Sequence, residues 1–126
     1  MVIMTAATGG AALRVFQAPE LVFVTTDFTL HEAKTRVSRL TARYGLDPDD
    51  VAEALVALPL GVRVRAEYES HVEIATSYIG RRDPKDVPLL ALVLKLGVPV
   101  WSHDRVFDDA PVERFTTGRL LNELRL

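Results

Sequence analysis

The chain contains no cysteine, so disulfides, thiolate metal ligands and cysteine nucleophiles are excluded at the outset. It has no long hydrophobic run. The longest, Val87 to Leu94, includes Pro88 and falls far short of the roughly 20 residues that span a bilayer. The opening residues, MVIMTAATGG, lack the basic start of a secretory signal, so a cytoplasmic protein with no membrane partner is expected. There is no excess of positive charge. The formal net charge of −2 argues against a general polyanion binder, although an acidic site neutralised by bound cations can still meet nucleic acid. There is no glycine-rich phosphate loop, because Gly9-Gly10 stands as an isolated pair, and the serines have no partner set for a nucleophilic triad. Repeats, linkers and low-complexity segments are missing too.

What is present fits one domain spanning 1–126, long enough for a real core. Helical and extended patterns alternate along it. Ala6 to Gln17 reads as a short helix weakened at its start by Gly9 and Gly10. Leu21 to Val24 is a continuous apolar run, as expected of a strand covered on both faces. Thr25, Thr26 and Asp27 then offer N-cap chemistry. Leu30, Ala33, Val37, Leu40 and Tyr44 recur at steps of three and four, which makes one helix face, and Gly45 ends it. Asp47-Pro48 starts another helix through Leu58. Val62 to Arg65 alternates as a half-exposed edge strand. Tyr68, Val72, Ala75 and Ile79 mark a further helix face. A helix over 86–96, a strand over 98–102, a last strand over Val112 to Thr116 and a closing helix over Thr117 to Leu124 complete the order. This alternation predicts a three-layer α/β/α domain with a mostly parallel central sheet.

The stretch from Arg81 to Phe107, RRDPKDVPLLALVLKLGVPVWSHDRVF, carries the chemistry. Pro88 has no N–H and must sit in the first turn of its helix, which puts Asp86 at the helix entrance. Asp104 follows the apolar strand at its exit. Helix entrances and strand exits meet at one edge of an open α/β sheet, where such folds bind ligands. Two carboxylates at that edge suggest a hard cation and phosphate chemistry. Each acid also has a structural reading: Asp86 as an N-cap, Asp104 as a turn residue. Asp83, before Pro84, reads as a turn former. Glu32 lies in an early helix turn, roughly 120° from the centre of the apolar stripe, and reaches a site only at the helix end. Asp108 and Asp109 read as solvated loop acids. Of the histidines, His31 lies nearly opposite the apolar stripe of its helix and His71 on a helix flank, and only His103, beside Asp104, is placed to touch a substrate. Arg81, Arg82, Lys85 and Arg105 flank the acidic edge as a solvated rim or as phosphate contacts.

The segment DPKDVPLLALVLKLGVPVWSHDRVF resembles the C-terminal half of a PIN domain, in which an acid precedes small and apolar helical residues and a strand ends in Thr/Ser-Asn-Asp. LVFVTTDFTLHEAKTRV resembles the PIN segment where a strand leads into a helix carrying a glutamate, and FTTGRLLNEL resembles the family's last strand and helix. The resemblance covers nearly the whole chain. It implies an α/β/α fold and an Mg²⁺- or Mn²⁺-dependent endoribonuclease of the kind that includes VapC-type toxins, which are held by antitoxins. Carried over by motif position, Glu32, Asp86 and Asp104 form the acidic metal site and catalytic set. Ser102 matches the small hydroxyl residue and His103 replaces the usual asparagine. Ser102, His103, Arg105 and Lys85 would face the substrate. A further family acid falls on Val106 here. The family's opening strand ends in a characteristic aspartate, and VIMTAATGGAALRVF resembles the family segment just after that aspartate. The expectation is therefore that this strand is absent, lies upstream, or is replaced by Met1 to Met4.

The first functional expectation is metal-dependent RNA cleavage, with weak Mg²⁺ binding and little or no activity from residues 1–126 alone because two family acids are missing. The alternative is a catalytically degenerate module that binds RNA or a protein partner. A third is a Rossmann-like or receiver-like domain without nuclease function. Paired PIN toxins further suggest a homodimer, with Val56 and Leu60 as candidates for an exposed apolar face.

Overall fold

A computed structural model describes residues 11–45, 47, 49, 50, 53 and 57–125. Helix α1 (Ala11–Phe16) leads to strand β1 (Phe23–Thr26), which runs into the long helix α2 (Asp27–Tyr44). Strand β2 (Leu60–Arg63) follows, then helix α3 (Arg65–Tyr68), a 3₁₀ turn, and helix α4 (Val72–Ile79). A second 3₁₀ turn over Pro84–Asp86 introduces helix α5 (Val87–Leu96). Strand β3 (Val100–Trp101), a 3₁₀ segment over Arg105–Asp109, strand β4 (Arg114–Phe115) and helix α6 (Thr117–Leu124) end the described chain.

Among the described residues all the pairings are parallel, as the alternation of elements predicts. Phe23 lies opposite Leu60 and Thr26 opposite Arg63 in the first pair; Val100 lies opposite Arg114 in the second. Among the described residues the strands form two separate two-stranded sheets, β1 with β2 and β3 with β4.

Strand alternation sets up three layers. Phe23 and Trp101 point to one face, where they stack around Phe16 of α1 with ring centroids 4.8 and 4.9 Å from it. The neighbouring residues Val24 and Val100 point to the opposite face and join the main core. That core centres on α5, where Leu90 and Ala91 are fully buried beneath Tyr68, Ala75 and Ile79 of the preceding helices and Phe107. A helix apolar on nearly all sides is stable only when covered this way. Gly97 ends α5 in the left-handed region at φ 64°, which glycine adopts without steric cost, so the chain turns sharply into β3. No helix among the described residues is long and apolar enough to cross a membrane.

Several boundaries differ from the sequence expectation. The first strand begins at Phe23 rather than Leu21, and its threonines are buried while Val22 is 92% exposed. Apolar Val22 to Val24 border a cavity. Thr25 and Thr26 pass under the start of α2, where the Thr26 hydroxyl accepts from the Thr29 amide at 2.9 Å and bonds the Thr29 hydroxyl at 2.7 Å. The expected edge strand over 62–65 lies at Leu60–Arg63, because Arg65 already starts a helix whose N-terminus is closed by Glu67 accepting from Val64 N–H. The strand over 98–102 contracts to Val100–Trp101: Val98 is exposed, and Pro99 has no N–H for a ladder. Tyr44 is exposed in the last turn of α2, beyond the reach of the core. Most of the expected helix over 47–58, including Val51, Leu55 and Val56, lies outside the described residues, as do residues 6–10 of the first helix. Leu60 is half-buried in β2.

Candidate metal centre

Asp86 stands at the N-cap of α5 but makes no capping bond. A cap carboxylate accepts from the N–H groups of the first turn, and Pro88, at the second helical position, has none to give. The side chain is left for other partners. Asp83 precedes the 3₁₀ turn that ends on Asp86, and a 3₁₀ turn superposes residues three apart. Both carboxylates are thus directed to the same side. Asp104 arrives from the other chain segment, two residues beyond the Ser102 amide that closes the β3–β4 ladder on Phe115 O. Its backbone N–H donates to Ser102 Oγ at 3.0 Å, and its own Oδ1 accepts from Val106 N–H at 3.0 Å. Ligand oxygens of Asp83, Asp86 and Asp104 lie within 4.8 Å of one another.

The electrostatics follow from this crowding. Burial, then the hydrogen bond and charge of Asp83, then those of Asp104, push the Asp86 carboxyl up to about 8. Asp104 moves the other way, below its ordinary value, chiefly because the Val106 amide stabilises its ionised form. The crowding therefore favours the protonated form of Asp86. Three hard oxygen donors at this spacing, with an average charge below three negatives, could hold a divalent cation.

The other sequence-identified residues fall around this cluster. Glu32 points from the second turn of α2 into the same cavity as Asp83, Asp86 and Asp104, but its carboxylate meets Lys85 Nζ at 3.9 Å and is not a member of the tight group. Ser102 and His103 also line that cavity. His103 Nε2 sits 3.0 Å from Thr117 Oγ1, which accepts from Trp101 Nε1–H at 3.1 Å. Arg105 is exposed at the start of the 3₁₀ segment, with its charge near Asp108, and does not line the cavity. Arg82 is ion-paired with Asp109, and Arg114 grips Asp108 with Nε and Nη2 at 2.9 and 3.2 Å. These two pairs tie down the loop acids expected to be solvated. His31 is exposed, in agreement with its place on the helix wheel.

Asp83 is the residue that sequence reasoning assigned to a turn. The available signal was its spacing, Asp-Pro-x-Asp, since a proline-initiated 3₁₀ turn brings the two acids together.

The cavity holds about 1130 Å³. Acids and Lys85 stand at one end, and side chains of β1, β3, α1, α5 and α6 line the rest, among them Phe16, Val24, Leu92, Trp101 and Leu120. Parallel strands between helical layers, with carboxylates gathered at the strands' C-terminal edge, define an α/β domain with an acidic edge. The PIN domain profile matches residues 1–125, and the chain belongs to the PIN domain family. Domains of this family are nuclease-like and in general depend on divalent metal. No curated protein and no solved structure matches the chain.

Proposed function

We propose that the protein is a cytoplasmic Mg²⁺- or Mn²⁺-dependent endoribonuclease of the VapC-like toxin type, held in check by an antitoxin and acting as a homodimer. The observation that carries the metal site is the convergence of Asp83, Asp86 and Asp104 at the entrance of α5. In this reading Asp86 and Asp104 are the principal ligands and Asp83 completes the set. A bound divalent ion would lower the pKa of an attacking water and offset charge on the scissile phosphate. Binding requires Asp86 to give up its proton. Ser102 fixes the Asp104 loop, through the hydrogen bond from the Asp104 amide. Lys85 both restrains Glu32 and offers an ammonium to a phosphate; at 70% side-chain exposure it is free to move between them. His103, held through Thr117, presents its outer ring edge to a nucleotide.

A second reading is supported by Val106. Where the family pattern implies a further acid, this chain has a side chain only 3% exposed and packed into the main core, so it contributes no charge. With Glu32 engaged by Lys85, the ligand set reduces to three aspartates, which suits a binding module that has kept the fold and lost the chemistry. Cleavage of single-stranded RNA in Mn²⁺, compared between the wild type and Asp86→Asn, separates the two. Cleavage lost in the variant supports the nuclease. RNA binding without Asp86-dependent cleavage supports the module.

A further inference from the structure

A buried hydroxyl stands between two ring nitrogens at the edge of the cavity. Thr117 opens α6 and is 8% exposed. Its Oγ1 lies 3.1 Å from Trp101 Nε1 and 3.0 Å from His103 Nε2. The indole is held in place by Phe16 and Phe23, with ring centroids 4.9 and 5.6 Å away. An indole N–H only donates, so it occupies one lone pair of Oγ1. The hydroxyl has a single proton to give. Among the described residues its one acceptor is His103 Nε2, and Nε2 accepts only when it carries no proton. The opposite arrangement, with Nε2–H donating to Oγ1, leaves the buried hydroxyl proton without a partner among these residues, at the cost of a lost hydrogen bond. The relay therefore runs one way, from indole N–H to threonine hydroxyl to imidazole, and each donor strengthens the next.

We propose that Thr117, backed by Trp101, is a positioning residue that fixes His103 as the Nδ1–H tautomer and makes it a hydrogen-bond donor to a phosphate oxygen of RNA. Neutral histidine in water favours the Nε2–H form, so the fold imposes the other one. Nδ1 has no hydrogen-bond partner among the described residues, and the exposed His103 lines the cavity together with Asp104 and Lys85. Phosphate oxygens only accept hydrogen bonds; a bare ring nitrogen would repel them, and an N–H meets them. Nδ1 already carries its proton in this form and cannot take one from water, so activation of water falls to other groups. The donor role rests on the RNA-directed function proposed above; the tautomer does not.

Ring-nitrogen NMR of nitrogen-15-labelled protein at about pH 8.5, where an ordinary histidine is neutral, reads the tautomer directly. His103→Asn identifies the His103 signals. The expected spectrum has a protonated Nδ1 and an unprotonated Nε2, kept in Thr117→Ser and reversed toward Nε2–H in Thr117→Val. An Nε2–H form in the wild type overturns the proposal, and so does an unchanged Nδ1–H form in folded Thr117→Val. If Thr117→Val does not fold, the wild-type and Thr117→Ser spectra decide. Binding of single-stranded RNA tests the donor role. Thr117→Val and His103→Phe should each weaken it by about 3- to 10-fold, the range of one hydrogen bond, and Thr117→Ser should retain it. Unchanged affinity in His103→Phe overturns the donor role. An Nδ1–H tautomer in a protein that does not cleave RNA supports the relay and counts against the nuclease reading alone.

Discussion

Asp86 and Asp104 bring carboxylate oxygens within 4.8 Å of each other, yet their protonation is driven in opposite directions, Asp86 up to about 8 and Asp104 down. Local backbone geometry decides which acid keeps the proton. Asp104 has an amide donor from Val106, whereas Asp86 faces a helix start whose second residue is proline. The site therefore stores a proton on the helix side and a charge on the strand side.

Metal-free stability should fall as pH rises. Asp86 has a folded-state value raised above its ordinary 3.8, so its contribution is complete below about 4 and is lost by about 8. Asp104, shifted down, contributes above its ordinary value and loses that only on acidification, so it does not oppose the trend in this window. The slope approaches ~1.4 kcal/mol per pH unit for a full proton. Thermal melts between pH 5 and 8 should show it, and Asp86→Asn should flatten it. A wild-type melting temperature constant over that range would rule out a protonated Asp86.

Divalent metal should displace the Asp86 proton. Titration calorimetry of Mn²⁺ at pH 7, repeated in buffers of different ionisation enthalpy, should register release of close to one proton, declining toward pH 9. Asp83→Asn and Asp104→Asn should each weaken binding about tenfold or more, as expected for loss of one carboxylate from a three-acid set. Unchanged affinity in Asp83→Asn would return that residue to a turn-forming role.

The hydroxyl of Thr26 both caps α2 and bonds the Thr29 hydroxyl, in a fully buried position. Thr26→Ala should destabilise the fold by about 1–2 kcal/mol, while Thr26→Ser, which keeps the oxygen, should recover most of it. Chemical denaturation measures both. Equal losses in the two variants would point to the missing methyl group rather than the cap.

Much of this fold was legible as periodicity. Tyr68, Ala75 and Ile79 are buried at the predicted spacing, and Pro88 and Gly97 delimit α5 as their backbone chemistry requires. Legibility failed where burial depended on a neighbour distant in sequence. Val22 looks like a core residue and is exposed, because the space beside β1 is a cavity; Thr25 and Thr26 look like turn residues and are buried beneath α2. At the site, Asp86 and Asp104 stood out through their positions at element ends. Asp83 was concealed because the sequence does not distinguish a 3₁₀ turn from an ordinary loop, and only the former directs both acids to one side. The Lys85 contact to Glu32 likewise joins elements that pair only in three dimensions.

Lys85 gives a separable prediction. Its pairing with Glu32 at 3.9 Å is largely solvated, so Lys85→Ala should change stability by less than about 0.5 kcal/mol. If its ammonium meets a phosphate, the same variant should bind single-stranded RNA more weakly and lower the slope of log affinity against log salt by up to about 0.7, the single-strand value per contact. An unaltered salt slope would confine Lys85 to restraining Glu32.

The chain has a single tryptophan, and it is the residue that walls the cavity while donating its indole N–H to Thr117. The molecule thus carries its own optical probe at the place where the two strand pairs face each other. Intrinsic fluorescence reports one environment without interference from a second indole. Any segment or ligand that expels water from the cavity will shift the emission to shorter wavelength. Rearrangement of the His103–Thr117 contact will change its intensity, so occupancy of the cavity and of the acid edge can be followed in unlabelled protein.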